Sequence, residues 1–304
     1  MGSILACLPR GGRVAIVRLR SLGDCVLTTP AVDILKRDRP DLRLGVVVEA
    51  GFRSIFEDNP DVDEILDPHW RAVRGFRPRL CLNLHGGTRS AWMTALSGAQ
   101  YRAGFGHFRN QWAYNARIPR AQEILGEERT VHTAEHLASA MFWLGAARVE
   151  IARAKLLVDG PVLKPAQPMA AIHAVAATAA KTWRADGFLA VADYLKRSGM
   201  EPVFIGGASD NLEPFEAYRT VRGAPLGEIK KLLSGASLFV GNDSGPAHMA
   251  AAFGVPVLAI FGASDPAIWG PWRTTSEVVT AAGGMANVET AQVLKALARL
   301  GVHA

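Results

Sequence analysis

Cysteine is scarce in this chain of 304 residues: there are three, Cys7, Cys25 and Cys81, far apart and without paired spacing. That count excludes a disulfide framework and a cysteine-rich zinc site. Long apolar runs are missing as well. No segment approaches the roughly 20 apolar residues that cross a bilayer. Residues 1–10 have too short an apolar stretch, and no basic region before it, for a signal peptide. The expectation is a cytosolic protein. No Gly-Lys-Ser or Gly-Lys-Thr phosphate loop is present, which weakens an ATPase or kinase reading. The eight histidines are scattered and form no zinc-protease signature, so neither a fixed metal nor a cofactor is expected. Gly11 and Gly12 precede the first strand, whereas a dinucleotide-binding glycine fingerprint follows one. Basic runs interleaved with aromatics are absent, which speaks against nucleic acid.

What is present is an alternation of short β-branched runs with helical segments, the pattern of parallel sheets covered by helices. Strands are expected over 14–17, 44–48 and 80–84, with a helix over 132–144. The helix after the first strand has two possible starts. It begins near Asp24 and tolerates Pro30 in an early turn, or it begins at Pro30 with Thr28 or Thr29 as its cap. Prolines 161, 165 and 168 punctuate a boundary placed between 145 and 168, after which the pattern restarts. Strands are expected over 169–174, 202–205, 238–240 and 257–261. Helices are expected over 186–198, 226–234 and 287–300, with a short alanine-rich one carrying His248. The halves share an architecture but no direct sequence repeat. Two such domains of roughly 150 residues place their ligands at the C-terminal ends of strands, so the interdomain cleft is the expected site.

The polar loops follow strands in that way. Residues 241–248, GNDSGPAH, combine glycines, a proline suited to a first helical turn, and a helix N-terminus that attracts phosphate. Ser244 adds a hydroxyl, Gly245 permits close approach, and His248 can donate if it faces the ligand. Asp243 repels phosphate, so bonding to loop amides or positioning His248 suits it better. A helix cap followed by a structural histidine explains the same residues. Lys181 can neutralise a departing diphosphate, or it is simply a solvent-facing cation. Thr178 offers a hydroxyl. Asp210, after Gly206 and Gly207, can accept from ribose hydroxyls or charge a first helical turn. Asp24 is a candidate base for an acceptor hydroxyl and equally a candidate cap, while Ser21 and Gly23 can turn backbone amides toward phosphate. Arg89 and Arg102, with Arg71, Arg74 and Arg77 nearby in sequence, can receive an anionic acceptor. Trp183, Trp269 and Trp272 either line the cleft or pack domain edges.

Three ordered segments, VRLRSLGDCVLTTPA at 17–31, VGNDSGPAHMAAAFGVP at 240–256 and FGASDPAIWGP at 261–271, together resemble glycosyltransferase family 9, particularly its bacterial ADP-heptose to lipopolysaccharide heptosyltransferases. The resemblance implies an α/β GT-B architecture, two Rossmann-like domains whose parallel sheets face an interdomain cleft. It implies an acceptor-binding domain over 1–160 and a nucleotide-sugar-binding domain over 161–304, the final helix packing back on the first. The implied activity is inverting, metal-independent transfer of heptose from ADP-heptose to the lipopolysaccharide inner core. Asp24 falls on the family's general base and Lys181 on its diphosphate-binding lysine. Asp243, Ser244, Gly245 and His248 fall in the donor-phosphate motif, with Asp210 at a ribose contact. The expected partners are that donor and a phosphorylated lipid-linked saccharide. A monomer is expected, with peripheral association at the inner face of the inner membrane compatible with a formal charge of +6. Another nucleotide sugar, an epimerase, and a noncatalytic nucleotide-sugar-binding protein stay open as alternatives.

Overall fold

The computed structural model describes residues 3–162, 165–176 and 178–304. Leu163 and Lys164 of the expected boundary segment, and Ala177 in the loop before Lys181, lie outside the described residues. The chain divides into two units, Met1–Leu157 and Val158–Ala304.

The first unit runs β1 (Arg13–Val17), α1 (Leu22–Asp38), β2 (Arg43–Val47), β3 (Glu64–Leu66), α2 (Trp70–Gly75), β4 (Leu80–Asn83), α3 (Thr88–Leu96), β5 (Tyr101–Phe105), β6 (Ala116–Ile118), α4 (Ala121–Leu125) and α5 (Thr133–Leu144). Its six strands form one parallel sheet in the order β3-β2-β1-β4-β5-β6. The inner strands read as unbroken apolar runs because both faces are covered, so Val14 to Val17 are all fully buried. Burying each of the valine and isoleucine side chains among them is worth about 1.5–3 kcal/mol. α1 packs against α5.

α1 starts at Leu22 behind Ser21 and continues through Pro30 to Asp38, so Pro30 lies deep in the helix rather than in an early turn or at its start. Proline lacks the N–H that the Val26 carbonyl would otherwise accept. The Thr29 hydroxyl donates to that carbonyl at 2.8 Å instead, and it also accepts from the Lys155 N–H at 2.8 Å. Thr28 likewise donates to the Asp24 carbonyl rather than capping a new helix.

The second unit runs β7 (Met169–His173), α6 (Ala185–Arg197), β8 (Glu201–Gly206), β9 (Arg219–Arg222), α7 (Leu226–Ser234), β10 (Leu238–Asn242), α8 (Gly245–Ala252), β11 (Val257–Ile260), α9 (Pro266–Trp269), β12 (Ser276–Val279) and α10 (Thr290–Arg299). Its sheet is also parallel, in the order β12-β11-β10-β7-β8-β9. Counted within each unit, both sheets have the order 3-2-1-4-5-6, that of a Rossmann-like unit. The chain thus has the α/β GT-B type of fold, two such units in series. Val293, Ala296 and Leu297 of α10 enter the core of the second unit beside Phe188, Val191 and Leu195 of α6.

Candidate functional site

Where strand order reverses, neighbouring loops part and leave a crevice at the strand ends. In the first unit that point lies between β1 and β4. Arg18 leaves β1 there and is only 5% exposed. Burial pulls its guanidinium below its ordinary pKa, opposed by the charge of Asp24. Arg18 Nη1 stands 3.4 Å from Asp24 Oδ1. The other carboxylate oxygen, Oδ2, accepts from Ser21 Oγ at 3.1 Å and from the Ser21 N–H at 3.4 Å. Asp24 therefore closes the N-terminal turn of α1 and faces a buried cation at once, with Gly23 buried in the same turn. Of the two roles read from its sequence position, the cap is the one these bonds display.

β4 ends at Asn83, whose Oδ1 accepts from the N–H groups of His85 at 2.9 Å and Gly86 at 3.0 Å and so shapes the following turn. Burial first, and then the Arg18 charge, hold the His85 imidazole below its usual pKa. His85 Nδ1 and Arg18 Nε are both buried without a protein partner. The loop at this switch point thus keeps two unspent polar atoms beside a carboxylate. His136 of α5 stacks on Phe105 at 4.0 Å. Burial pushes its pKa down to about 4, His107 and Arg18 adding to the effect.

The two arginines proposed for an acceptor separate. Arg89 follows the β4 end and binds Glu49 Oε1 at 3.0 Å and the Pro68 carbonyl at 2.7 Å. Arg102 is the second residue of β5, paired with Cys81 inside the sheet, and its Nε donates to the Ala113 carbonyl at 3.2 Å. It is not brought to the strand-end edge that carries Asp24.

In the second unit the order reverses between β7 and β10, and the GNDSGPAH segment leaves β10 at that point. Lys181 closes the short turn Ala179–Lys181 that follows β7. Its Nζ reaches Asp243 Oδ2 at 3.0 Å. That pairing gives Asp243 a partner that sequence reasoning did not name. The Thr178 carbonyl accepts from the Lys181 N–H at 3.0 Å and from the Thr182 hydroxyl at 2.9 Å, which ties the turn down. Gly262, after β11, lies so close that a Cβ there would stand 2.6 Å from the Ala180 carbonyl oxygen, so only glycine admits this approach.

Ser244 precedes α8 in extended conformation and makes no side-chain capping bond. Its Oγ is buried without a partner. Gly245 and Pro246 open the helix, leaving first-turn amides for an anion. His248 is 5% exposed on the same helix. Asn242 Oδ1 accepts from the Trp183 N–H at 3.0 Å, fixing the β7 loop to the end of β10. Trp183 itself is core, 2% exposed, its Nε1 donating to the Val288 carbonyl at 2.9 Å. Asp210 Oδ2 accepts from the Gly207 N–H at 2.7 Å. It lines a cavity of about 300 Å³ with Ala174, Thr182 and Asn211. A second cavity, about 740 Å³, lies against Ala179, Thr182, Arg184, Gly262 and Met285. His173, at the end of β7, is driven by burial to a pKa of about 4, with Asp210 opposing.

Among the described residues no group of three or more histidine, cysteine, aspartate or glutamate side chains is placed to hold a metal ion. No helix among them is long and apolar enough to cross a membrane. Arg18 is the functional candidate that sequence reasoning passed over. Its signal was a charge abutting the apolar run of β1.

The sequence model of the family described as glycosyltransferase family 9 (heptosyltransferase) matches residues 68–297. Lipopolysaccharide heptosyltransferase 3 of Escherichia coli K12 is 26% identical over 292 residues, covering 84% of this chain and 83% of the relative. Among solved structures, E. coli heptosyltransferase WaaC with ADP-2-deoxy-2-fluoro heptose is similar at a TM-score of 0.77 and 20% identity, covering 95% of this chain and 99% of the other. The iron-containing dodecameric glycosyltransferase TibC of enterotoxigenic E. coli is similar at a TM-score of 0.62 and 21% identity, covering 91% and 66%.

Proposed function

The chain belongs to glycosyltransferase family 9, the heptosyltransferases, and from that premise we propose that it moves heptose from an ADP-linked donor to a hydroxyl of the lipopolysaccharide inner core. The observation that carries this reading is the strand-end loop of the second unit. Lys181 is held by Asp243 at 3.0 Å beside the open N-terminus of α8, where Ser244 Oγ has no partner. Such a group of donors stabilises a diphosphate as negative charge gathers on it. The names of the lipopolysaccharide heptosyltransferase relative and of WaaC with its ADP-heptose analogue support the choice of donor.

The chemistry is a single displacement with inversion. The acceptor oxygen bonds to the anomeric carbon as the bond from that carbon to the diphosphate oxygen breaks. The hydroxyl proton passes to the Asp24 carboxylate, and the departing charge rests on ADP. Ser21 and Arg18 hold Asp24 in one orientation, so the carboxylate is aimed before the acceptor arrives. On this reading Lys181 and the α8 amides receive the leaving charge in place of a metal ion, and turnover needs none. Asp210 meets the ribose from its cavity, Thr178 and His248 complete the donor contacts, and Arg89 meets an anionic group of the acceptor. The protein works as a monomer in the cytoplasm, where the lipid-linked acceptor faces it at the inner membrane.

The test is Asp24→Asn, which keeps the shape of the capping side chain but removes the base. Transfer is expected to fall by about 10²–10⁴-fold, with donor affinity measured by calorimetry unchanged. A variant that turns over at the parental rate would remove Asp24 from the reaction.

A further inference from the structure

Residues 68–122 contain nine arginines and no aspartate, glutamate or lysine. The whole chain carries a formal +6, so this stretch holds +9 and everything else together holds −3. Among the described residues, Arg89 is the only one of the nine whose guanidinium pairs with a carboxylate, that of Glu49. Arg74, Arg109 and Arg117 are exposed. An arginine-only, acid-free segment crossing α2, α3, β5 and β6 concentrates positive charge on one part of the first unit.

The same stretch carries an exposed apolar ridge. Trp92 is 53% exposed, Trp112 52% and Leu96 39%. Trp92 and Leu96 are one turn apart on α3 and share a face. Trp112 meets Trp92 edge to face, ring centroids 4.7 Å apart at 64°. The ridge is built rather than loose. Asn110 Nδ2 donates to Thr88 Oγ1 at 3.4 Å, and Ala113 and Tyr114 pack on Ala91 beneath it. The Tyr114 hydroxyl accepts from buried Asn83 Nδ2 at 3.0 Å, anchoring the loop to the end of β4. Arg74 lies against Gly98, just past the end of α3, and Arg109 is three residues before Trp112. Arginines therefore flank the tryptophans.

We propose that this ridge docks the first unit on an anionic phospholipid bilayer, the two tryptophans and Leu96 entering the headgroup layer while Arg74 and Arg109 meet lipid phosphates. Indole rings favour that boundary, and each arginine near an anionic surface adds to binding. A saccharide seat fits less well, since carboxylates are missing from the stretch and the crossed indoles offer no flat platform. A second copy fits less well too, because a two-fold interface would set the same cationic patch against itself. The proposal extends the functional reading by naming the surface on which a lipid-linked acceptor is met, yet it rests on the ridge alone.

The purified full-length chain is sedimented with vesicles of phosphatidylcholine, alone or mixed with phosphatidylglycerol. Binding is expected only with phosphatidylglycerol, weakening steeply as salt shortens the screening length. Trp92→Ser with Trp112→Ser, and separately Arg74→Glu with Arg109→Glu, are each expected to lower the partition coefficient about tenfold or more. Circular dichroism melts confirm that both variants fold. The double tryptophan variant keeps parental transfer to a water-soluble acceptor fragment. Wild-type protein that ignores phosphatidylglycerol, or folded variants that bind as well as the parent, would overturn the proposal. So would concentration-dependent dimerisation abolished by the tryptophan changes in a protein that binds no vesicles. Vesicle binding by a protein inactive with every donor would leave this inference standing while the functional reading fell.

Discussion

Asp24 and Lys181 hold matching places in the two units: each follows the first strand of its sheet, and each is fixed by an oppositely charged side chain. Asp24 was identifiable because a carboxylate three residues after a serine, just past a strand, is either a cap or a base; the structure shows the cap, with Arg18 against its other oxygen. Lys181 could be nominated but not distinguished from an ordinary surface cation. Its partner Asp243 lies 62 residues away, and only the parallel pairing of β7 with β10 brings them together. Arg18 stayed invisible for a related reason, since local spacing does not say whether a charge beyond a strand points to water or under a helix. Arg102 shows the converse. Type and nearness in sequence group it with Arg89, but its place at the start of a parallel strand sets it away from the strand ends. At this scale Lys181→Ala is expected to weaken donor binding about 10- to 100-fold, the worth of a charge-assisted hydrogen bond, with circular dichroism unchanged. Calorimetry that finds parental affinity for the donor would contradict the phosphate role.

At the scale of elements, the inner strands other than β5 and most long helices were readable, because two-sided burial writes an apolar run and one-sided burial writes a helical stripe; β5, with an arginine and a glycine among its five residues, has no such run. The four edge strands, β3, β6, β9 and β12, were not. They have three or four residues each, and β9 is exposed along most of its length, so no run or alternation marks them. α1 illustrates a different limit. Proline signalled a helix start, yet a threonine hydroxyl one residue earlier replaces the missing donor and lets the helix pass through. Thr29→Val removes that hydroxyl from a fully buried position and strands both the Val26 carbonyl and the Lys155 N–H. The expected cost is roughly 2–4 kcal/mol, seen as a lower urea midpoint for the first unit, with Thr29→Ser close to the parent. A valine variant as stable as the parent would show that the hydroxyl bonds contribute nothing net.

For the whole molecule, a restart of the β-α pattern after residue 168 disclosed two α/β halves, and the structure gives both the same strand order without a sequence repeat to announce it. Shared order arises from parallel pairing and covered faces, which many sequences satisfy, and so similarity of form outlasts similarity of residues. The sugar is read by pocket shape, which neither glycine-rich loops nor strand order encode. One assay tests the proposed transfer as a whole. The purified protein is incubated, with a chelator present, with ADP-heptose or other nucleotide sugars and truncated lipopolysaccharide acceptors. ADP is expected to be released in step with one heptose gained by the acceptor, measured by mass spectrometry, with no such gain from other donors. Donor isomerised without acceptor, a different sugar transferred, or turnover abolished by the chelator and restored by metal would contradict it.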